Sequence, residues 1–229
     1  VRAGSSTSSP ATNGLDTEIA GKYGTLNLHA DGSYTYKSTA NAITGPATDT
    51  FVYTMRDNDG DQSTTTLKIS LTDSGLRAVN DDQAKVYETA LDLSKDGKDL
   101  AAGTSTGLNP TSTGETDDSQ TLADNVSGGF GAKTFSLVGS AQGTYGTIEI
   151  HADGTYTYTL TKPFDTQPDI NNGTQTESNK DSFTYKVMDA NGNSAQATIY
   201  VDIVDDVPVA HADPIDLRYG QLVEGNVLD

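Results

Sequence analysis

The chain has 229 residues, 32 acidic against 14 basic, for a formal charge of −18, with no cysteine and no tryptophan. That balance disfavours nucleic acid and anionic membrane surfaces, whose phosphates call for Lys and Arg; it favours cations, or a salty medium that screens self-repulsion. Without cysteine there are no disulfides, zinc–thiolate sites or thiol catalysis, and no apolar run approaches the ~18 residues of a membrane span.

Val1–Ser5 does not resemble a signal peptide, so any export signal is expected outside this sequence. Leu26 and Leu28 then alternate with Thr25, Asn27 and His29, and Tyr34 and Tyr36 alternate with Ser33 and Thr35. Period two predicts two half-buried strands. A three-residue turn, Ala30-Asp31-Gly32, pairs Leu28 with Tyr34 and Leu26 with Tyr36 on one apolar face. A two-residue turn would split that face, so the longer one is expected, with Gly32 left-handed as a bulge. The next strands are Thr50–Arg56, with Phe51, Tyr53 and Met55 inward, and Thr65–Thr72, with Leu67, Ile69 and Leu71 inward. Ala90–Asp99 is a mild helix candidate weakened by Gly97, and residues 101–118 form a long polar loop.

From Tyr145 the chain repeats itself. YGTLNLHADGSYTY at 23–36 returns as YGTIEIHADGTYTY at 145–158, 122 positions on. The same register pairs Ile150 with Tyr156 and Ile148 with Tyr158, with Gly154 as the bulge. DTFVY at 49–53 returns as DSFTY at 181–185, 132 positions on, so the segment 160–180 holds an insertion of ten residues. Phe183, Tyr185, Val187, Ile199, Val201 and Ile203 complete the second copy. A third echo, Arg77–Asp81 in Val209–Asp213, also lies 132 positions apart, and Val86-Tyr87-Glu88 is echoed by Leu222-Val223-Glu224. A repeat this long is a whole domain, because solenoid repeats run ~20–50 residues. The expected division is an incomplete or shortened unit over 1–75, a complete unit over 78–206 and the start of another over 207–229. Short alternating strands with Gly/Asp/Asn turns imply an all-β, antiparallel β-sandwich class.

The acids cluster in two kinds of place. Asp57, Asp59 and Asp61 surround Gly60 between two strands; the second copy has Asp189, Asn191 and Asn193 there, two carboxylates fewer. The presumptive linker gathers Asp73, Asn80, Asp81 and Asp82, with Glu88 on the strand that follows; Asp202, Asp205, Asp206, Asp213 and Glu224 repeat the arrangement. Ca²⁺ takes six to eight oxygens on flexible turns, so these residues are the candidate ligands. Turns and linkers are also rich in Asp for conformational reasons alone. A secreted domain without disulfides needs another staple, which a bound metal supplies.

The motifs YGTIEIHADGTYTY at 145–158, DSFTYKVMDANGN at 181–193 and ATIYVDIVDDVPVAHAD at 197–213 resemble the VCBS-type, cadherin-like repeats of large bacterial RTX-type surface adhesins. Thr113-Gly114-Glu115-Thr116 and Ala78–Asp82 fit the same pattern, and Val223–Asp229 resembles the opening of a further repeat. The resemblance implies tandem Ig-like sandwiches, secreted to the bacterial cell surface, stiffened by Ca²⁺ and serving adhesion and biofilm formation as an extender. Its partners would be neighbouring repeats of the same chain, with surface glycans or peptides engaged through other domains, and neither nucleic acid nor membrane insertion. The alternative is a recognition module that binds glycan or peptide through the loops 101–118 and 160–180. An enzyme is not expected: His29 and His151 fall on the outward face beside turns, no Ser-His-Asp arrangement is supported, and carboxylate pairs are everywhere, so they single out no glycosidase. The tyrosines at 34, 36, 53, 156, 158 and 185 alternate with Leu and Ile as core residues do.

Overall fold

The computed structural model describes residues 1–91, 107–109, 111–164, 175–206, 219–220 and 222. Among these there is no α-helix, and the one helical turn is the 3-10 turn Glu88–Ala90; the rest of the Ala90–Asp99 helix candidate lies outside the described residues. The chain divides into two compact units. One comprises Val1–Arg77 with the segments Ser127–Lys133 and Met188–Ala195; the other comprises Ala78–Val126, Thr134–Val187 and the chain from Gln196 onward.

The first unit carries β1 (Arg2–Ala3), β2 (Glu18–Ala20), β3 (Gly24–Leu28), β4 (Tyr34–Ser38), β5 (Ala47–Arg56) and β6 (Gln62–Leu71). They form two three-stranded antiparallel sheets, in the orders β2-β3-β4 and β1-β5-β6. Leu28 faces Tyr34 and Leu26 faces Tyr36, the register that the apolar alternation requires. Gly32 has φ +88°, as the bulged turn demands. Leu26, Leu28, Phe51 and Val1 make the core, with Ile19, Tyr36, Tyr53, Leu67 and Ile69 packed around it.

A short pair, β7 (Arg77–Ala78) with β10 (Val126–Ser127), stands apart from the larger sheets. The second unit carries β8 (Asp81–Tyr87), β9 (Thr116–Thr121), β11 (Thr134–Val138), β12 (Gly146–Ile150), β13 (Thr155–Leu160), β14 (Thr176–Met188) and β15 (Ser194–Val204). Its sheets run β11-β14-β15-β8 and β12-β13-β9. Ile150 faces Tyr156 and Ile148 faces Tyr158. One pair departs from the antiparallel expectation: β8 runs parallel to β15. The polar segments 101–118 and 160–180 also end in structure, because Thr116–Asp118 belong to β9 and Thr176–Lys180 to β14.

Burial separates the two copies. Phe183, Tyr185, Val187, Ile199, Val201 and Ile203 are all buried, as their alternation predicts. In the first unit Phe51 is buried, but Met55 is 56% exposed and Tyr34 50% exposed, so neither is the core residue expected of it. Leu67, Ile69 and Leu71 are half-buried. The reason is topological: β8 and β9 flank β15 and β13, and no described strand takes those places beside β6 and β4.

Both units share a buried carboxylate clamp. Asp49 accepts hydrogen bonds from the Lys22 N–H (2.9 Å), the Tyr23 N–H (2.9 Å) and the Tyr36 hydroxyl (2.7 Å). At the matching place Asp181 accepts from the Thr144, Tyr145 and Gly146 N–H groups (2.7, 3.0 and 3.0 Å) and from the Tyr158 hydroxyl (2.7 Å). Both carboxylates are buried. Burial pushes the Asp49 carboxyl up, but the donations from Tyr23, Tyr36 and Lys22 outweigh it and hold its pKa below the ordinary value. A depressed carboxyl stabilises the fold above its unfolded pKa, and that contribution is lost as pH falls through the folded one.

Glycines make room for the clamp. A Cβ on Gly21 would lie 2.4 Å from Asp49 Oδ2, and one on Gly143 would lie 2.5 Å from Asp181 Oδ2. A Cβ on Gly24 or Gly146 would meet the Tyr36 or Tyr158 hydroxyl at 2.5 or 2.4 Å and a backbone carbonyl closer still. The hairpin glycine differs, because Gly32 has a left-handed φ but open space around it. Gly24→Ala should therefore destabilise the first unit by about 2–4 kcal/mol through overpacking and loss of the clamp. Gly32→Ala should cost only about 1–2 kcal/mol of backbone strain. Chemical denaturation of the two variants checks the order.

Candidate metal centres

The acids fall into three groups. The first is the β5–β6 turn. Ligand atoms of Asp57, Asp59 and Asp61 all lie within 4.8 Å of one another and are exposed. Asp57 Oδ1 accepts the Gly60 N–H (3.0 Å) and the Asp61 N–H (2.8 Å), which curls the turn around one carboxylate. A hydrogen bond shared with Asp59 and these backbone donations lower the Asp57 pKa. Three carboxylates this close form a cation-attracting turn, which the Arg56 guanidinium already approaches: a Cβ on Gly60 would lie 3.2 Å from its Nη2.

The equivalent β14–β15 turn is built differently. Asp189 is buried, and its Oδ1 accepts the Asn191 N–H (2.9 Å), the Asn193 N–H (3.0 Å) and the Asn193 Nδ2–H (3.3 Å). Its Oδ2 accepts the Phe130 N–H (3.0 Å) and the Asn193 Nδ2–H (3.1 Å). Burial raises the Asp189 carboxyl, but the donations from Asn193, Phe130 and Asn191 outweigh it. The Asn193 amide thus stands against both carboxylate oxygens, doing with partial charge what a cation would do at Asp57.

The presumptive linker acids do not form one cluster. Asp81 is buried and turned into its own unit, accepting the Gln83 N–H at 2.9 Å and the Tyr156 hydroxyl at 3.2 Å. Burial raises its pKa, and the charges of Asp124 and Asp82 add to the rise. Asn80 Oδ1 accepts the Thr198 N–H (3.0 Å), and Asp82 is exposed. Asp73 is half-buried. Glu88 lies at the opposite end of β8 from Asp81, a strand of seven residues and so about 20 Å long. Asp202, near the C-terminal end of β15, accepts the Asn179 N–H (2.9 Å). Asp213 and Glu224 lie outside the described residues.

Glu88 instead meets Asp205 and Asp206. The parallel register sets Val204 opposite Tyr87, so the residues that follow each strand converge. Glu88 and Asp205 are both buried. Glu88 Oε1 accepts the Phe164 N–H, and Oε2 accepts the Asp206 N–H (3.2 Å). Asp206 Oδ2 accepts the Leu108 N–H (2.9 Å), while its Oδ1 is buried without a hydrogen-bond partner. Burial, with the adjoining Asp205 carboxylate, pushes the Glu88 pKa up to about 7. Glu115, wholly buried, lies on the adjoining segment, where the Tyr87 N–H donates to the Gly114 carbonyl at 2.9 Å. Glu115 is not among the ligands that the sequence pattern marks: it stands in the Thr113–Thr116 motif, but no counterpart in the first copy singles it out as an acid of the site.

This is the acid group that best fits a hard divalent cation. It holds three carboxylates at one strand end, of which two are buried, and one orphaned oxygen. A positive ion there would offset the desolvation that raises Glu88. Glu88, Asp205 and Asp206 would hold such an ion, and Asp57, Asp59 and Asp61 would hold another.

Residues 3–70 match a family described as Bacterial Ig domain. No curated protein matches the chain. Among solved structures the chain is similar to mouse clustered PcdhgC3 EC1-3, with 15% sequence identity and a TM-score of 0.25. That match covers 82% of this chain and 55% of that chain, so this chain spans about half of its length. Among the described residues no helix is long and apolar enough to cross a membrane. The strands make the chain an all-β protein with Ig-like units, of which residues 3–70 match the Ig-like family.

The Glu88 group gives a pH dependence of defined sign. A carboxyl raised in the fold stabilises it below the unfolded pKa, and that stability is lost as pH rises through the folded one. The window runs from 4.5 to about 7. In chelator, the second unit's melting temperature should fall by about 5 °C or more between pH 5 and pH 8. Glu88→Gln should flatten that slope, as scanning calorimetry can show.

Proposed function

We propose that the chain is a calcium-stabilised extender of a secreted bacterial surface adhesin, projecting a distal binding domain for cell adhesion and biofilm formation. The observation that carries this reading is the Glu88–Asp205–Asp206 group, an acid cluster at the end of β8 and β15 with an orphaned carboxylate oxygen. A buried set of like charges is costly unless a cation joins it. The Asp57–Asp59–Asp61 turn supplies a second, exposed set. Both sets lie at strand ends. The likeness of residues 3–70 to Bacterial Ig domain supports a bacterial, extracellular setting.

Calcium supplies charge neutralisation and several oxygen-directed bonds. At extracellular affinities of ~0.1–1 mM it would be bound outside the cell and released inside it. The chain would then be limp before export and stiff after it.

At 10 mM Ca²⁺ such sites stabilise the folded state by about 1.4–2.7 kcal/mol. The expected result is a melting temperature that rises with Ca²⁺ and returns in chelator. Glu88→Gln combined with Asp205→Asn should remove the gain in the second unit, and Asp57→Asn with Asp59→Asn that in the first. A melting temperature and solution dimensions that ignore Ca²⁺ would refute the calcium reading. Saturable binding of a glycan or peptide to the 101–118 and 160–180 segments would favour a recognition module instead.

A further inference from the structure

Two of the candidate ligands, Asp73 and Asn191, join neither cation group. They meet instead on a pocket of about 280 Å³, which Tyr23, Ser38, Thr72 and Phe130 also line. All of these residues belong to the first unit.

The pocket has an aromatic wall that is fixed in place. Phe130 is 62% exposed, yet its backbone is tied down. Its N–H donates to Asp189 Oδ2 (3.0 Å), its carbonyl accepts the Ala190 N–H (3.0 Å), and the Gly129 N–H donates to the Ser74 carbonyl (2.9 Å). Gly129 and Gly131 on either side have left-handed φ, +77° and +65°, and a Cβ on either would lie 2.9 Å from a side-chain carbon of Leu76 or Ala190. The Tyr23 ring carries the Lys22 ammonium 4.8 Å from its centre, whereas among the described residues no ring or cation stacks on Phe130.

The facing wall is fixed as well. Asn41 holds a left-handed φ of +55°. Its N–H donates to Asn193 Oδ1 (2.9 Å), and its own Oδ1 accepts the Ser194 N–H (2.9 Å). These bonds couple the chain around Ser38 to the turn that bears Asn191. Backbone strain held by its surroundings is one way a site is kept in a single shape.

The polar groups on this frame are unspent. Among the described residues, the Asp73 carboxylate, the Asn191 amide and the Ser38 and Thr72 hydroxyls make no hydrogen bond. Together they offer an acceptor, an amide that both donates and accepts, and two hydroxyls. One carboxylate is too little charge for Ca²⁺, which takes six to eight oxygens. A chain of net charge −18 repels anions. A sugar ring matches what is left: its C–H face lies on an aromatic ring, and its hydroxyls pair with carboxylate, amide and hydroxyl. The volume is just below the ~300–1,000 Å³ of drug-sized ligand sites, which suits one ring with its neighbours in solvent.

We propose that this pocket binds one unit of a neutral saccharide, with Phe130 as the stacking face and Asp73 and Asn191 as the hydroxyl-binding groups. The site goes beyond the extender reading and is independent of calcium, so it is tested in chelator. The probes are the methyl glycosides of glucose, galactose, mannose and N-acetylglucosamine, titrated into the isotope-labelled full chain and followed by amide NMR. A neutral glycoside should give saturable shifts at Thr72, Asp73, Phe130 and Asn191, with a dissociation constant of ~1–10 mM, as expected of so small a ligand. Phe130→Ala and Asn191→Ala should each weaken it about tenfold or more, with circular dichroism unchanged, and Phe130→Tyr should retain it. The methyl glycoside of glucuronic acid should bind about tenfold more weakly than that of glucose. The proposal is overturned if no neutral glycoside moves these amides, if binding survives Phe130→Ala, if Phe130→Tyr loses it as Phe130→Ala does, or if the glucuronide binds equally well.

Discussion

The fold rests on two buried carboxylates. Asp49 and Asp181 each lie on a long core strand, and each collects backbone N–H groups from the start of the repeated hairpin and a hydroxyl from the hairpin's second strand. One side chain thereby ties together three segments that two separate sheets would otherwise hold only through apolar contact. A buried ionised group with all its donors in place rigidifies a core, whereas one that loses a donor destabilises it. The arrangement explains why the repeat keeps Gly-x-Tyr-Gly before the strand, Tyr within the hairpin and Asp after it. None of these can change alone: the glycines clear space, the tyrosine donates and the aspartate accepts.

With the core held this way, the remaining acids are free to serve elsewhere. The two strand-end groups differ in physics. Asp57, Asp59 and Asp61 are exposed and screened by solvent, so their repulsion is mild. Glu88 and Asp205 are buried against each other, and burial together with the Asp205 carboxylate pushes the Glu88 pKa up to about 7. The β14–β15 turn took a third course, recruiting the Asn193 amide to Asp189. Equivalent turns thus carry a candidate cation site in one copy and a self-sufficient one in the other.

Local patterns made much of this legible from sequence. Period-two alternation and the Ala-Asp-Gly turns determined the hairpin registers down to Leu28 opposite Tyr34 and Ile150 opposite Tyr156. What escaped was non-local. Glu88 follows Asp82 by six residues, so it was grouped with Asp73 and Asn80–Asp82; the parallel pairing of β8 with β15 carries it to Asp205, more than a hundred residues away. Met55 alternates like a core residue, but its burial depends on neighbours that, among the described residues, only the second unit has. Asp49 and Asp181 were visible as echoes of each other, yet among so many acids nothing in the sequence marked them as buried. The glycine before each repeated Tyr-Gly was the available signal, because a loop glycine kept at Gly21 and Gly143 implies a close approach.

The central claim is that carboxylate and tyrosine act as one unit in each fold. A double-mutant cycle in the second unit tests it most directly, using Tyr158→Phe, Asp181→Asn and the combination, each followed by denaturant unfolding in chelator. A shared buried hydrogen bond predicts that the two changes are strongly non-additive, with a coupling of about 1–3 kcal/mol. Effects that simply add, with coupling below about 0.5 kcal/mol, would contradict it.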